Sequence, residues 1–322
     1  MTTFAEKMQE LFGSRFKENE PLAKHVNMKI GGPARFFVEA KSNGDIGVAA
    51  FLANSEKIPF FILGGGSNTL VADEGYSGLV IKTANRNVRI EDDRVMAEAG
   101  AMSALVARKT ANAGLRGFEW AVSLPGTIGG AVRGNAGCFG GEIVDTLESV
   151  KLLRDLEIID VPANELNLKY RSSILKEPGN HDIVLEATFK LTPGDRIEAL
   201  ALIDKNLDGR KKSQPLGSAS AGCMFKNFEY KDDGEVGEMG KLGIPEEMTK
   251  RHRIAAGWII DKLGLKGTKV GDAMVSDQHG NFLMNTGHAT AKDIKSLIDL
   301  VKNTVSDKFG VELEEEVQYL GD

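Results

Sequence analysis

Two glycine-dense loops are the places where backbone could do chemistry in this sequence. Phe60-Phe61-Ile62-Leu63 is an apolar run that passes straight into Gly64-Gly65-Gly66-Ser67-Asn68. Successive N–H groups in such a turn form a concave nest for phosphate oxygens, and Ser67 and Asn68 add side-chain hydrogen bonds. The order is neither a Walker A loop, since no Gly-Lys-Ser/Thr follows, nor a GxGxxG fingerprint. By itself it is explained as well by a plain tight turn. The second loop runs from Leu124-Pro125-Gly126-Thr127-Ile128-Gly129-Gly130-Ala131 to Gly134-Asn135-Ala136-Gly137. So much glycine outside a linker carries a large folding entropy penalty, so a ligand lying against the chain is the better explanation. Together the loops predict a clasp for an extended diphosphate cofactor.

Reactive side chains are sparse. The 2 cysteines, Cys138 and Cys223, form no disulfide framework and fit a reducing compartment. Taken alone, a single cysteine is more often a small buried hydrophobe. The run Glu314-Glu315-Glu316 reads as a solvated edge, and Arg171 as a surface arginine after a strand. Arg210-Lys211-Lys212 and Lys250-Arg251-His252-Arg253 are solvated surface by default, with anion sites as the alternative. His279 has no second ligand at suitable spacing, so no metal site is expected. A net charge of -6 gives no basic footprint for nucleic acid. No apolar run approaches bilayer length, and the N-terminus lacks a signal-peptide core. These features predict a cytoplasmic enzyme without nucleic-acid or membrane partners.

The elements that must position these residues form an α+β pattern. A chain of 322 residues exceeds the usual single core, so roughly two or three domains are expected. Phe4, Met8, Leu11 and Phe12 outline a first helix. Strands are expected at 35–40, 59–63, 78–81, 88–90, 150–153, 157–161 and 183–191, with helices at 45–55 and 103–113, the latter capped by Ser103. Thr192-Pro193-Gly194 is a break. A connecting helix follows, ended by the basic cluster and Pro215. Thr290 and Asp293 form a capping pair for a helix with a buried stripe at Ile294, Leu297, Ile298, Val301 and Val305, stopped by Gly310. A last strand over 311–320 puts Val311, Leu313, Val317 and Tyr319 on one face and Glu312, Glu314, Glu316 and Gln318 on the other.

Several segments in order resemble the UDP-N-acetylenolpyruvoylglucosamine reductase (MurB) family. They are Ile30-Gly31-Gly32-Pro33-Ala34, both glycine loops, Tyr170-Arg171-Ser172-Ser173, Gln214-Pro215 and Ala221-Gly222-Cys223-Met224-Phe225-Lys226-Asn227. Ala255-Ala256-Gly257-Trp258-Ile259-Ile260-Asp261, Leu265-Lys266-Gly267, His279-Gly280-Asn281-Phe282 and Leu313-Glu314-Glu315-Glu316-Val317 complete the set. The glycine loops alone indicate only the wider superfamily of flavin oxidoreductases with this FAD-binding fold.

The resemblance implies a two-part FAD-binding domain of the PCMH/vanillyl-alcohol-oxidase type plus a C-terminal α+β substrate-binding domain. The expected ranges are 1–194 for the first (parts of about 1–83 and 84–194), 195–215 for a linker helix and basic segment, and 216–322 for the second. Its last strand would return Glu316 to the cleft. The implied reaction is NADPH-dependent reduction of UDP-N-acetylglucosamine enolpyruvate to UDP-N-acetylmuramate through non-covalent FAD, in peptidoglycan precursor synthesis. Gly64, Gly65, Gly66, Ser67, Asn68, Pro125, Gly126, Thr127, Gly129, Gly130, Asn135 and Gly137 would contact FAD, and Cys138 would lie near it. Arg171, Cys223 and Glu316 would be catalytic, with Tyr170, Lys226, Asn227, Arg253 and His279 on substrate. A monomer or weak homo-oligomer is expected.

The chain departs from the family at several of these positions. Cys223 stands where the family usually has a serine acid, and Arg253 where it has lysine. Gln318 replaces an arginine two residues after the glutamate, and Phe228 a proline after Asn227. The short stretch after Arg171 resembles the subclass without an inserted tyrosine loop. The alternatives are a sugar or alcohol oxidase of the same superfamily and a non-catalytic nucleotide-sugar-binding protein.

Overall fold

Thr3 and Glu6 start the first helix with a reciprocal cap. In this computed structural model the Thr3 hydroxyl accepts from Glu6 N at 3.3 Å, and the Glu6 carboxylate accepts from Thr3 N at 2.7 Å. The helix Phe4–Phe12 buries Phe4, Met8 and Phe12. Leu11, expected on that stripe, is instead 54% exposed. Met8 and Phe12 already complete the one face that meets the sheet, and Leu11 falls about a quarter turn away from Phe12. The structure describes residues 2–215 and 217–321. Leu216, where the expected C-terminal domain begins, lies outside the described residues.

The chain divides into two compact units. One comprises Met1–Glu20, Ala34–Gly66 and Tyr76–Lys212, and the other Pro21–Pro33, Ser67–Gly75 and Ser213–Asp322. The short segments 21–33 and 67–75 thus leave the N-terminal half to join the C-terminal unit. Long-range pairing explains it: Gln318–Leu320 runs parallel to Thr69–Val71, and Asn285 Nδ2 donates to Met28 O at 3.2 Å.

The first unit holds two large sheets and two short two-stranded ones. Phe16–Pro21, Pro33–Ala40, Tyr76–Thr83 and Phe60–Leu63 form one, with Tyr76–Thr83 central and parallel to its neighbours Pro33–Ala40 and Phe60–Leu63. Glu157–Pro162, Leu147–Arg154, Ile183–Lys190, Arg94–Glu98 and Val88–Glu91 form an antiparallel second sheet. Two apolar cores match this division. One joins residues from Phe4 to Ile81 with Leu153, Ile183 and Leu185, and the other joins residues from Val95 to Ile203. The helix Ser103–Asn112 begins one residue earlier than expected for a serine cap. Met102 is its N-cap, without a side-chain bond, and Ser103 N donates to Gly126 O at 3.1 Å. Docking onto the glycine loop has taken over the role of the cap.

The second unit packs the sheet Ala219–Cys223, Phe282–Asn285, Ala273–Val275 and Lys269–Val270 with the helix Ala291–Phe309. That helix shows the expected Thr290–Asp293 capping box and ends at Gly310 in the left-handed conformation. Asp73 adds a second cap, accepting from Ala291 N at 2.8 Å and Lys292 N at 3.1 Å. The expected last strand is cut to Gln318–Leu320. Residues 311–314 alternate between buried and exposed as predicted, but Tyr319 is 41% exposed and Leu320 is buried. Backbone groups of 314–316 bond to the Met224–Lys226 segment rather than to a regular ladder, and this shifts the alternation. Among the described residues no helix is long and apolar enough to cross a membrane.

Leu297 is fully buried in the second unit's core. Leu297→Ala should lower unfolding free energy by roughly 2–5 kcal/mol, and Thr290→Ala by about 1 kcal/mol, both read from urea midpoints at unchanged slope.

Candidate active site

The glycines of the two loops first serve each other. A Cβ on Gly64 would sit 2.5 Å from the Thr127 hydroxyl, and one on Gly65 would sit 2.8 Å from Gly126 Cα. No side chain fits there, so the loops touch backbone to backbone. Ile128 N and Gly129 N donate at 2.9 Å to Ala101 O and Ala99 O, stitching the second loop to the turn that follows the strand Arg94–Glu98. Part of the glycine density therefore answers to protein packing rather than to a ligand. Pro125 and Gly130 remain exposed, and a Cβ on Gly130 would meet only the Thr127 hydroxyl, at 3.9 Å. These two positions leave the outer edge of the second loop open to a ligand.

Asn135 and Gly137, expected on the cofactor, tie the loop to Arg171. The Asn135 amide is buried and donates at 3.0 Å to Lys169 O and to the Glu142 carboxylate, while its oxygen accepts from Val144 N at 3.0 Å. Lys169 and Ser172 exchange two backbone bonds of 3.0 Å, so Tyr170 and Arg171 form the corner of a two-residue turn. Arg171 sits at φ +53°, a conformation that costs a bulky residue on the order of 1–2 kcal/mol and persists only where the surroundings impose it. They do: Arg171 Nη2 donates to Gly137 O at 3.0 Å, and Lys176 Nζ donates to Arg171 O at 3.0 Å. The guanidinium stands 5.3 Å over the Tyr170 ring. Cys138 lies in the same unit with its thiol on Ser123 and the Trp120 carbonyl. Burial pushes that thiol up, against smaller downward pulls from Ser123, Arg210 and Arg171.

In the second unit a bulge aims Cys223. The strand Ala219–Cys223 loses register between Ser220 and Cys223 against Phe282–Asn285, with Gly222 at φ +80°. Such a bulge turns the following side chain out of the regular alternation. Asn281 then fixes the next residues. It is buried, and its side chain accepts from Phe225 N and donates to Phe225 O, each at 2.8 Å; its carbonyl accepts from Met224 N at 2.8 Å. Nothing in the sequence marked Asn281 for this role beyond its place in a family-like segment.

The acidic run closes onto the same stretch. Glu316 N donates to Met224 O and Lys226 N to Glu314 O, both at 2.8 Å, with Phe225 and Glu315 bridged antiparallel. The Glu314 carboxylate pairs with Lys226. Glu315 pairs with Lys302 at 2.7 Å and with the Tyr319 hydroxyl. Burial pushes the Glu315 carboxyl up, but Lys302 and Tyr319 together hold it below the ordinary value. Asn68, expected on the cofactor diphosphate, donates its amide to Glu316 O at 3.0 Å, next to a half-buried Ser67.

The expected substrate contacts of this unit are each locally tied. Asn227 Oδ1 accepts from Ala256 N at 3.3 Å, at the start of the helix Ala256–Lys262. Arg253 pairs with Glu229 at 2.6 Å across a short ribbon. His279 packs at Gly257, where a Cβ would lie 2.8 Å from its ring, and its Nδ1 accepts from Asn281 N at 3.2 Å. Burial lowers the His279 pKa most, with Asp261 opposing and Lys266 assisting. Among the described residues no group of His, Cys, Asp and Glu could hold a metal ion.

The comparisons with known proteins define the class, a flavin-dependent oxidoreductase. An FAD binding domain profile matches residues 34–156. The profile of the UDP-N-acetylenolpyruvoylglucosamine reductase C-terminal domain matches residues 214–320. The reductase of that name from Lachnoclostridium phytofermentans is 39% identical, over 94% of this chain and 92% of its own. The one from Carboxydothermus hydrogenoformans is 38% identical over 98% of both chains. A crystal structure of UDP-N-acetylenolpyruvylglucosamine reductase from Thermus caldophilus has a TM-score of 0.74 at 32% identity, covering 95% of this chain and 98% of that one. The chain belongs to the UDP-N-acetylenolpyruvoylglucosamine reductase family, and its first unit carries an FAD-binding domain.

Asn281→Ala leaves a buried N–H and C=O without their partner, and should lower unfolding free energy by roughly 2–4 kcal/mol, measured by chemical denaturation. His279 titrates below its ordinary 6.5 in the folded protein, so the unfolded chain takes the proton first. Its contribution to stability is therefore present above about pH 6.5 and lost as pH falls through the lowered value. A His279→Gln variant should show a flatter acid limb in melting temperature against pH.

Proposed function

We propose that the chain reduces the enolpyruvyl ether of UDP-N-acetylglucosamine to UDP-N-acetylmuramate, with Cys223 as proton donor, Arg171 as carboxylate clamp and Glu316 as polarising partner. FAD, when bound, relays hydride from NADPH to the methylene carbon of the ether. The glycine loops Gly64 to Ser67 and Pro125 to Gly130 would hold its phosphates. Residues 214–320 supply the substrate domain. The short stretch between Arg171 and the helix Arg196–Ser213 supports the subclass without a tyrosine loop. We take it to be a cytoplasmic monomer or weak homo-oligomer acting on small molecules, in keeping with its 2 cysteines and net charge of -6.

The chemistry sets the demands on the chain. Hydride addition to the methylene carbon leaves negative charge on the adjacent carbon and its carboxylate. A guanidinium meets a carboxylate with two parallel hydrogen bonds, and the strained, over-tied turn at Arg171 keeps that group in place before the reaction. The adjacent carbon must then receive a proton. A thiol ordinarily titrates near ~8.5, far below an alcohol, so Cys223 donates more readily than serine would, and solvent returns the proton to sulfur. Glu316 shares charge with that exchange rather than attacking carbon.

Lys226 and Arg253 supply cations for the UDP diphosphate. Their carboxylate partners Glu314 and Glu229 are 71% and 52% exposed. Surface pairs of this kind contribute about 0–1 kcal/mol, so a phosphate oxygen displaces them easily. Tyr170, Asn227 and His279 complete the contacts.

The observation that carries this reading is the Gly222 bulge. It turns Cys223 out of the sheet alternation next to Met224, whose carbonyl holds Glu316 N at 2.8 Å. In anaerobic stopped flow, NADPH should bleach the oxidised-flavin band and the enolpyruvyl ether should restore it. Restoration only by oxygen would mean an oxidase. Cys223→Ala should keep the bleaching rate within about twofold and slow the ether-driven recovery by about a hundredfold or more, the range of lost general acid catalysis. Equal loss of both half-reactions removes Cys223 from the acid role. Cys223→Ser should remain active and resist iodoacetamide, because burial disfavours the Cys138 thiolate.

A further inference from the structure

We propose that the side-chain amides of Asn68 and Gln318 form a positioning pair for Glu316, holding its backbone so that its carboxylate keeps one orientation. The proposal rests on the role given to Glu316 above. Asn68 stands in the glycine loop that the sequence points toward a cofactor, yet its Nδ2 donates to Glu316 O at 3.0 Å. Its own carbonyl accepts from Gln318 N at 3.0 Å. Gln318 reaches back, and its Nε2 approaches the same Glu316 carbonyl at 3.4 Å. One carbonyl oxygen thus has two side-chain donors, matching its two lone pairs.

The surrounding geometry makes the pair consequential. Glu316 is not in a regular strand; the ladder begins at Gln318. On its N-terminal side the segment is held by Glu316 N on Met224 O at 2.8 Å. On its C-terminal side the parallel register of Gln318, Tyr319 and Leu320 with Thr69, Leu70 and Val71 fixes the chain. Between these anchors, rotation of the peptide after Glu316 is resisted by Asn68 and Gln318. Peptide rotation there would swing the Glu316 Cα–Cβ vector and displace the carboxylate relative to Cys223.

The test compares half-reactions in the FAD-loaded enzyme. Gln318→Met preserves side-chain length but removes the donor, and Gln318→Arg restores one. Gln318→Met and Asn68→Ala should each lower the maximal rate of flavin recovery by the ether by about twofold to tenfold, the range of one neutral hydrogen bond. KM for the ether, flavin content and the NADPH bleaching rate should stay within about twofold. Gln318→Arg should recover most of the rate. The double variant should fall short of the product of the two single effects, because the pair acts as a unit on one acceptor. Hydrogen exchange at the Glu316 amide should quicken in both single variants.

Loss of flavin or an equal fall of both half-reactions in Asn68→Ala would make Asn68 a cofactor ligand and overturn the proposal. Unchanged recovery and exchange in Gln318→Met would also overturn it, and that variant decides the matter alone where Asn68→Ala does not fold. A wild-type enzyme whose flavin the ether does not reoxidise would instead remove the functional reading, before any variant is made.

Discussion

Glu314 and Glu316 of the acidic run bond through their backbones to Lys226 and Met224, with Glu315 set opposite Phe225 between them, and the chemistry proposed for the second unit depends on this join. It brings two stretches roughly ninety residues apart in the chain into register, which a loop closure of that length makes entropically unfavourable unless several bonds form together. They do form together. Asn281 holds Phe225 from the other side with both its amide groups and is itself buried. A fully satisfied buried amide of this kind is worth more in fixing one conformation than in net stability. With it in place, the bulge at Gly222 has a rigid frame against which to turn the Cys223 side chain.

The first unit solves the same problem with similar means. Asn135 binds the Lys169 carbonyl, and Gly137 offers its own carbonyl to the Arg171 guanidinium. The glycine loop is thereby tied to the turn carrying the cation. Both units use a side-chain amide, Asn135 in one and Asn68 in the other, to lock the backbone beside a charged group. An amide can donate and accept without adding charge, so it orients a neighbour without competing with the electrostatics that the reaction needs.

Several of the longer regular elements were legible from the sequence. Helical spacing and capping signals gave Phe4–Phe12 and Ala291–Phe309, because a helix is determined by residues within about four positions of each other. Short apolar runs gave Pro33–Ala40 and Ile183–Lys190. The parallel pairing of Thr69–Val71 with Gln318–Leu320 was not legible, since nothing local encodes a partner about 250 residues away. For the same reason the placement of 21–33 and 67–75 in the second unit could not be read, and the expected strand at 311–320 was too long. Side-chain roles fared likewise. Cys223 and Glu316 stood out through family resemblance, while Asn281 and the engagement of Asn68 with Glu316 depend on tertiary hydrogen bonds that no spacing rule reveals.

The central claim is that the thiol at position 223 supplies the proton. It is tested most directly by the rate of ether-driven flavin recovery as a function of pH, in the wild type and in Cys223→Ser. Only the protonated thiol can donate, so the wild-type rate should fall at alkaline pH, where a thiol ionises and an alcohol does not. The serine variant should hold its rate there, because its hydroxyl does not ionise. Parallel profiles in the two proteins would contradict the account and pass the proton to another group.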